Sequence, residues 1–269
     1  MATFKRIGDT QFLDICKDAS EQEIIDAVKG GANVHAKGRG NITALMLAAK
    51  KNYFHAIRVL VKAGAEVNAR EDPINPAPWQ IARQDPYYKG YTALTHAVMR
   101  NNAEAAEALV EAGADINITV RVNIPYDSRY PDRPCYDDQL LMLYAIEHDC
   151  VGIVKALSKA GTKSINIRFS DGGTYLIFAA RWSENREIIN ALIEAGADDV
   201  ADNEGMTALM YAASRNKPII VSALINAGAY VKAKSREGKM ARDYARMNPR
   251  LNGSEALKRL NELSASLTK

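Results

Sequence analysis

Apolar side chains recur three and four positions apart in a series of short segments along the chain. This spacing places them on one face of an α-helix. Each segment ends at a glycine, which adopts the left-handed backbone conformation that closes many helices without a steric cost. The pattern predicts short helices with one buried face each, among them the segments around Ile57 and Leu60, Ala105 and Leu109, Ile153 and Leu157, Ile188 and Leu192, and Ile220 and Leu224.

Two landmarks divide the chain into units. One is the closing glycine, and the other is a Thr-Ala-Leu sequence, or a variant of it, further upstream. The count from landmark to glycine is 21 residues from Thr43 to Gly64 and 22 residues from Thr174 to Gly196. The stretch from glycine to the next landmark varies between 11 and 28 residues. The variation in length therefore lies in one half of the unit.

The constant half of the unit is predicted to hold two antiparallel helices. The first has small residues at its centre, such as Ala48 and Ala49, which let neighbouring helices approach closely. Ser20 and Glu23 have the spacing of a capping box at a helix start. Helices this short are marginal alone, so each unit is expected to bury its apolar face on the next.

The repeated unit resembles that of the ankyrin-repeat family, which reads G-x-T-P-L-H-x-A-A, then a second helix, then L-L-x-x-G-A-D-V-N. Residues 90–97 (GYTALTHA) and 109–117 (LVEAGADIN) follow it nearly position for position. The resemblance implies an all-α solenoid of about seven helix-turn-helix units with short β-hairpin or loop fingers. It implies a single domain over residues 1–269, with repeats starting near residues 10, 43, 92, 140, 174, 207 and 240.

The repeats depart from the family pattern at one helix position. The family's histidine is replaced by Met46, Thr95, Leu143, Ile177, Met210 and Asp243. The resemblance then implies the loss of a hydrogen bond between repeats. The fourth repeat also lacks the Gly-x-Thr start, so it matches the family least well.

Two fingers are much longer than the others, and they form insertions at about residues 70–90 and 118–139. Residues 70–91 and 118–139 contain seven of the nine prolines and six of the twelve tyrosines. Long loops in a compact array are typical of functional or disordered segments, and aromatic residues with arginine are typical of binding surfaces. The alternative is a lid packed on itself without a partner. The predicted finger contacts are Trp79, Tyr87, Tyr88, Tyr126, Arg129 and Tyr130.

A second candidate surface follows from the resemblance, because ankyrin arrays usually bind partners in their concave groove. The matching positions lie at the ends of the first helices and just before the landmarks. A row of cations with apolar and aromatic anchors would suit an acidic or extended polypeptide. A solvated charged face is the alternative for any single residue. The predicted partner-binding residues are Lys50, Lys51, Tyr91, Met99, Arg100, His148, Arg181, Trp182, Met206 and Arg215.

Four aromatic residues stand four positions after a landmark in successive repeats. At this position we expect side chains of the core between repeats rather than a ligand site. The four are Tyr144, Phe178, Tyr211 and Tyr244.

Composition and charge narrow the classes of function. The chain has 35 Lys and Arg against 32 Asp and Glu, a net charge of +3, which is too small to predict nucleic-acid binding. Three cysteines without C-x-x-C spacing indicate neither a disulfide framework nor a zinc site. The first residues of the sequence lack the apolar region of a secretory signal, and no apolar stretch reaches membrane-spanning length. We expect a cytoplasmic, intracellular protein, with export as an effector left open.

The sequence contains no recognisable catalytic motif. His35, His55, His96 and His148 occupy unrelated repeat positions, and phosphate-binding glycine loops and the nucleophile elbow are missing. We therefore predict a monomeric, non-catalytic protein-interaction scaffold without a cofactor or metal. The alternative is recognition of a small ligand or a modified-lysine peptide by aromatic residues of the fingers.

Overall fold

The computed structural model describes residues 8–72, 90–121 and 138–265. The central parts of both insertions, residues 73–89 and 122–137, lie outside the described residues. All six predicted finger contacts fall there, namely Trp79, Tyr87, Tyr88, Tyr126, Arg129 and Tyr130.

Seven consecutive pairs of α-helices are present in the described ranges. We number the repeats by these pairs and call their members the first and second helix. The pairs are Asp9–Asp18 with Glu21–Lys29, Ala44–Lys50 with Phe54–Lys62, Ala93–Met99 with Ala103–Glu111, Leu141–Glu147 with Val151–Ser158, Tyr175–Trp182 with Arg186–Glu194, Ala208–Arg215 with Pro218–Asn226, and Ala241–Ala245 with Glu255–Ala265. A short helix at Thr162–Ile165 and 3-10 turns at Arg39–Asn41 and Pro249–Leu251 accompany them.

The landmark threonines act as N-caps of the first helices. The hydroxyl oxygens of Thr43, Thr92, Thr174 and Thr207 each accept a hydrogen bond of 3.3 Å from the amide three residues later. Such a side chain satisfies one of the amides that a helix start leaves without a partner. The predicted capping box at Ser20 is also present. The landmarks thus set where the first helices begin.

The fourth repeat forms without a threonine cap. Its first helix, Leu141–Glu147, follows directly on the strand Asp138–Leu140. This strand pairs antiparallel with Thr119–Arg121, with Thr119 opposite Leu140. The second insertion is therefore closed at its base by a two-stranded ladder, and both helices of the repeat that matched the family least well are present.

The chain divides into two compact units, Met1–Leu141 and Met142–Lys269. In the first unit, the first helices of repeats 2 and 3 pack against each other, as do the second helices. In the second unit, the first helices of repeats 5, 6 and 7 pack in series. The single-domain organisation stays a prediction.

Small residues form the contact layer between the first helices. Ala48, Ala49 and Ala97 are completely buried in the first unit, and Ala179, Ala180, Ala212 and Ala213 are completely buried in the second. Larger apolar side chains, among them Leu60, Leu109, Ile188 and Leu224, fill the space beside the second helices. This arrangement confirms the two helical faces that the apolar pattern predicted.

Asparagine side chains join successive repeats at the turn between the two helices. Asn216 is 3% exposed, and its amide nitrogen donates to the carbonyl oxygens of Ala180 and Ser183 at 2.8 and 2.9 Å. Asn248 donates in the same way to repeat 6, and Asn102 donates to repeat 2. These bonds satisfy carbonyls that the ends of the preceding first helices leave without an intrahelical partner. They connect each of these repeats to the one before it.

Successive fingers are joined by backbone hydrogen bonds. The amide of Asp72 donates to Gly40 at 2.8 Å in the first unit. In the second unit, Asn203 donates to Asp171 and Arg236 donates to Glu204, both at 2.9 Å. Neighbouring fingers are therefore held in register with each other.

No helix in the described part of the chain is both long enough and apolar enough to cross a membrane.

Candidate partner-binding surface

The predicted contacts at the helix ends share a face with the aromatic residues that we expected in the core. Residues four, seven and eight positions after a landmark lie on one side of a helix, because neighbours on a helix surface are three or four residues apart. We call the side formed by these positions the first-helix face. Each compact unit carries its own part of it.

In the first unit, the first-helix face contains a partly buried polar cluster. The carboxylate of Glu71 lies 3.0 Å from Nε2 of His96 and 4.0 Å from Nζ of Lys50. The side chains of Glu71 and His96 are each 10% exposed, whereas Lys50 is 24% exposed. Arg100 lies at the exposed end of the same helix as His96.

Burial and the surrounding charges set the protonation of this cluster. Burial, together with the positive charges of Lys50 and Arg100, lowers the pKa of His96 to about 3. Burial raises the pKa of Glu71, and the charge of Lys50 opposes that shift. Burial also lowers the pKa of Lys50. His96 is therefore neutral near pH 7, and one of its nitrogens can donate to Glu71.

The cluster closes the base of the first insertion. The amide of Glu71 donates to the carbonyl of Tyr91 at 3.0 Å, and the ring of Tyr91 meets His96 edge-on at 5.7 Å between centroids. Gly90 passes so close to the backbone that a Cβ there would lie 1.5 Å from the carbonyl oxygen of Glu71. The two ends of the insertion are therefore fixed to the helix that carries His96.

The remaining predicted contacts of the first unit differ in their surroundings. Lys51 donates from Nζ to the carbonyl of Ala19 at 3.1 Å, and the ring of Tyr53 lies nearby. Lys51 thus joins repeats 1 and 2. Met99 is partly exposed and Arg100 is exposed.

In the second unit, repeats 5 and 6 form a cluster of arginine and aromatic side chains. The guanidinium carbon of Arg181 lies 4.8 Å from the ring centroid of Trp182 and 5.1 Å from that of Tyr211. The guanidinium of Arg215 lies 5.4 Å from the same indole. All four side chains are partly exposed. We call these four residues the arginine–tryptophan cluster.

Asp202 lies in the finger between repeats 5 and 6 and holds the ring of Tyr211 in place. Its Oδ2 accepts a hydrogen bond of 2.7 Å from the hydroxyl of Tyr211. Its Oδ1 accepts the amides of Glu204 and Met206, both at 2.9 Å. Burial is the largest cause that raises the pKa of Tyr211, and the bond to Asp202 adds to it. The predicted contact Met206 is therefore held in a turn beside the cluster.

The aromatic residues four positions after the landmarks are not core residues. Tyr144, Phe178, Tyr211 and Tyr244 are all partly exposed, so the prediction of a buried stripe was wrong. Tyr144 stacks obliquely on the exposed ring of His148 with centroids 4.2 Å apart, and Tyr244 donates to Ser235 at 2.9 Å. The reason is geometric, since this position is one turn before the predicted partner contacts rather than on the side that faces the next repeat.

Sequence reasoning missed Glu71, His96, Tyr211 and Asp202 as parts of the surface. The helical spacing from Arg100 and Arg215 could have placed His96 and Tyr211 on the first-helix face. Glu71 and Asp202 come from fingers, and their contacts depend on how a finger folds over a helix, which helical periodicity does not predict.

The described residues offer no group of three or more His, Cys, Asp or Glu side chains that could hold a metal ion. Cys16 and Cys150 are buried thiols, and burial raises the pKa of Cys16 to about 12. Such thiols are poor nucleophiles because the thiolate is the reactive form.

Comparison with known proteins places these observations in a family. A family model described as ankyrin repeats (3 copies) matches residues 14–120, 141–235 and 176–265. The ankyrin repeat domain of human ASB11 is 19% identical in sequence and has a TM-score of 0.54, and the match covers 93% of this chain and 96% of that one. An ankyrin repeat domain from Acinetobacter baumannii AYE is 27% identical with a TM-score of 0.53, and the match covers 82% of this chain and 96% of that one.

No curated protein sequence matches the chain. The family model, however, covers well over half of it, and the solved structures have the same fold. Threonine-capped helix pairs with closing glycines recur within the matched ranges. The chain belongs to the ankyrin-repeat family.

Proposed function

We propose that this protein is a non-catalytic scaffold that binds an acidic or extended polypeptide through the groove along its first-helix face, with the two insertions contributing further contacts. Ankyrin repeats generally mediate protein–protein interaction, and the fold is typically non-catalytic. The observation that carries the proposal is the arginine–tryptophan cluster, because aromatic and arginine side chains together are typical of binding hot spots.

The structure supports this proposal through the way the surface is held in place. Tyr211 is fixed by Asp202, and Arg181 is packed between two rings. Side chains that are already ordered lose less conformational entropy when a partner binds. A preformed surface of this kind suits a scaffold that presents side chains without rearranging.

The base of the first insertion supports a role for that finger. Glu71 and Tyr91 pair at its two ends, and the cluster around His96 fixes them to the helix. A loop that leaves from a fixed base can contribute contacts at a smaller entropic cost than one on a flexible stem.

We further propose that the protein acts as a monomer in the cytoplasm. The thiols of Cys16 and Cys150 are unpaired, as expected in a reducing compartment.

Affinity capture from a cell lysate tests the proposal. We expect Arg100→Ala, Arg181→Ala or Trp182→Ala to reduce the amount of captured partner by about tenfold, because loss of a hot-spot side chain costs roughly 1–2 kcal/mol or more. The melting temperature should fall only slightly, since these side chains are partly or fully exposed and none belongs to the buried core.

Arg236→Ala serves as the control, because this side chain is 68% exposed and pairs only loosely with Glu204. Capture that is equal for the three variants, the control and the original protein would contradict the proposal.

A further inference from the structure

We propose that the arginine–tryptophan cluster is a carboxylate-recognition site. The site binds an aspartate or glutamate side chain of a peptide. An apolar side chain next to that acidic residue in the peptide packs on the indole of Trp182. This inference rests on the proposed function and names the chemistry that the second unit selects.

Among the described residues, Arg181 has no charged partner. No carboxylate in the described part of the chain lies within ion-pair distance of its guanidinium, and its buried Nε has no hydrogen-bond acceptor there. The rings of Trp182 and Tyr211 hold the group in place by cation–π contact. The planar guanidinium presents paired donors whose geometry matches a carboxylate.

The neighbouring carboxylate is already committed to other donors. Asp202 receives the Tyr211 hydroxyl on one oxygen and the amides of Glu204 and Met206 on the other. These bonds orient Asp202 toward the turn and the phenol. Asp202 thus holds the ring of Tyr211 in place, and Arg181 is left to bind a carboxylate of the peptide.

A second positive charge lies on the same indole. The guanidiniums of Arg181 and Arg215 are 4.8 and 5.4 Å from the ring centroid of Trp182. Both guanidiniums attract an anion that is placed beside this indole. The ring surface beside them gives an apolar side chain a place to pack.

The surroundings favour a singly charged carboxylate over a phosphate or a nucleic acid. The negative charges of Asp171 and Asp202 both act on Tyr211, so two acidic side chains border the cluster. They would repel a dianionic phosphate or a polyanion more strongly than a single carboxylate. The small net charge of +3 also gives the whole chain little attraction for a polyanion.

Fluorescence titration of the full chain can test the site directly. The protein has two tryptophans, so Trp79→Phe leaves Trp182 as the single indole reporter. The probes are three pools of ten-residue peptides with random flanks and a central Glu-Leu, Gln-Leu or phosphoserine-Leu pair. Each pool is titrated into this variant and into the same variant with Arg181→Gln, Arg181→Lys or Arg186→Gln.

We expect the Glu-Leu pool to change the Trp182 emission with saturation, and the Gln-Leu pool to need at least a tenfold higher concentration. Arg181→Gln should weaken Glu-Leu binding at least tenfold. Arg181→Lys keeps the positive charge but lacks the planar guanidinium, so it should weaken Glu-Leu binding severalfold. The test therefore remains valid if Arg181→Gln is poorly folded. Arg186→Gln, an exposed arginine on the second helix of repeat 5, should have no effect.

Equal binding of the Gln-Leu and Glu-Leu pools, or unchanged binding in both Arg181 variants, would overturn the proposal. Preferential binding of the phosphoserine pool would show a phosphate site instead. If no pool binds although lysate capture still depends on Trp182, the carboxylate inference fails while the scaffold function stands. If the Glu-Leu pool binds as expected but lysate capture is independent of Trp182, the peptide site stands and the scaffold function fails.

Discussion

At the scale of single residues, burial changes the chemistry of side chains that the sequence places at ordinary surface positions. His96 is the clearest example, because it lies on the first-helix face yet its side chain is only 10% exposed. The finger residue Glu71 covers it, and Lys50 and Arg100 surround it with positive charge. The result is a neutral imidazole that fixes the base of an insertion rather than a solvated histidine.

The neutral state of His96 makes stability depend on pH. The pKa of His96 is about 3 in the folded chain, against about 6.5 in an unfolded one. As the pH falls below 6.5, the unfolded chain takes up a proton that the folded chain does not, so stability decreases. We expect the free energy of unfolding to fall by about 1 kcal/mol between pH 6.5 and 5.5 through this residue.

Urea titrations at the two pH values, with His96→Gln for comparison, can measure this effect. Gln can donate a hydrogen bond to Glu71 but does not titrate, so the variant should lose about 1 kcal/mol less over this interval. The raised pKa of Glu71 acts in the opposite direction, but Glu71 is present in both proteins, so the difference between them reports on His96. The same pH dependence in both proteins would contradict the assignment.

At the scale of helices and fingers, the repeats are joined by polar side chains as well as by apolar packing. Thr43 and Thr207 start first helices, and Asn216 and Asn248 bridge the ends of neighbouring ones. Threonine at a helix start follows from the repeated sequence, because the landmark has a fixed place in each unit. The asparagine bridges do not, because an asparagine after a helix is equally typical of an exposed turn.

The bridge at Asn216 is expected to contribute strongly to stability. Asn216→Ala removes two donated hydrogen bonds and the acceptor of the Lys217 amide. The buried carbonyls of Ala180 and Ser183 would lose a donor, at a cost of about 1–3 kcal/mol each. We expect a total loss of about 2–6 kcal/mol in the free energy of unfolding.

Chemical denaturation of Asn216→Ala beside Asn252→Ala checks this expectation. Asn252 is exposed, and its substitution should change the free energy of unfolding by no more than about 0.5 kcal/mol. Equal stabilities of the two variants would show that the bridge is energetically unimportant.

At the scale of the whole molecule, the sequence predicts the architecture better than the surface. The period of the landmarks identifies the helix pairs and the family, since the length of a helical hairpin is set by its packing. The candidate surface depends on which finger residues fold over which helix. The sequence therefore placed Arg181, Trp182 and Arg215 on the surface but missed Asp202, and it assigned Tyr211 to the core.

The central claim is that a partner protein binds the first-helix face. Photocrosslinking tests it most directly, with a benzoylphenylalanine placed in the full chain at Met206 on the binding side or at Ile219 on the second helix of repeat 6. Met206 lies beside the arginine–tryptophan cluster, and Ile219 is 46% exposed. We expect irradiation in lysate to crosslink a protein at position 206 and not at position 219, and we expect Arg181→Ala to reduce the crosslink. A protein crosslinked at position 219 but not at position 206 would contradict it.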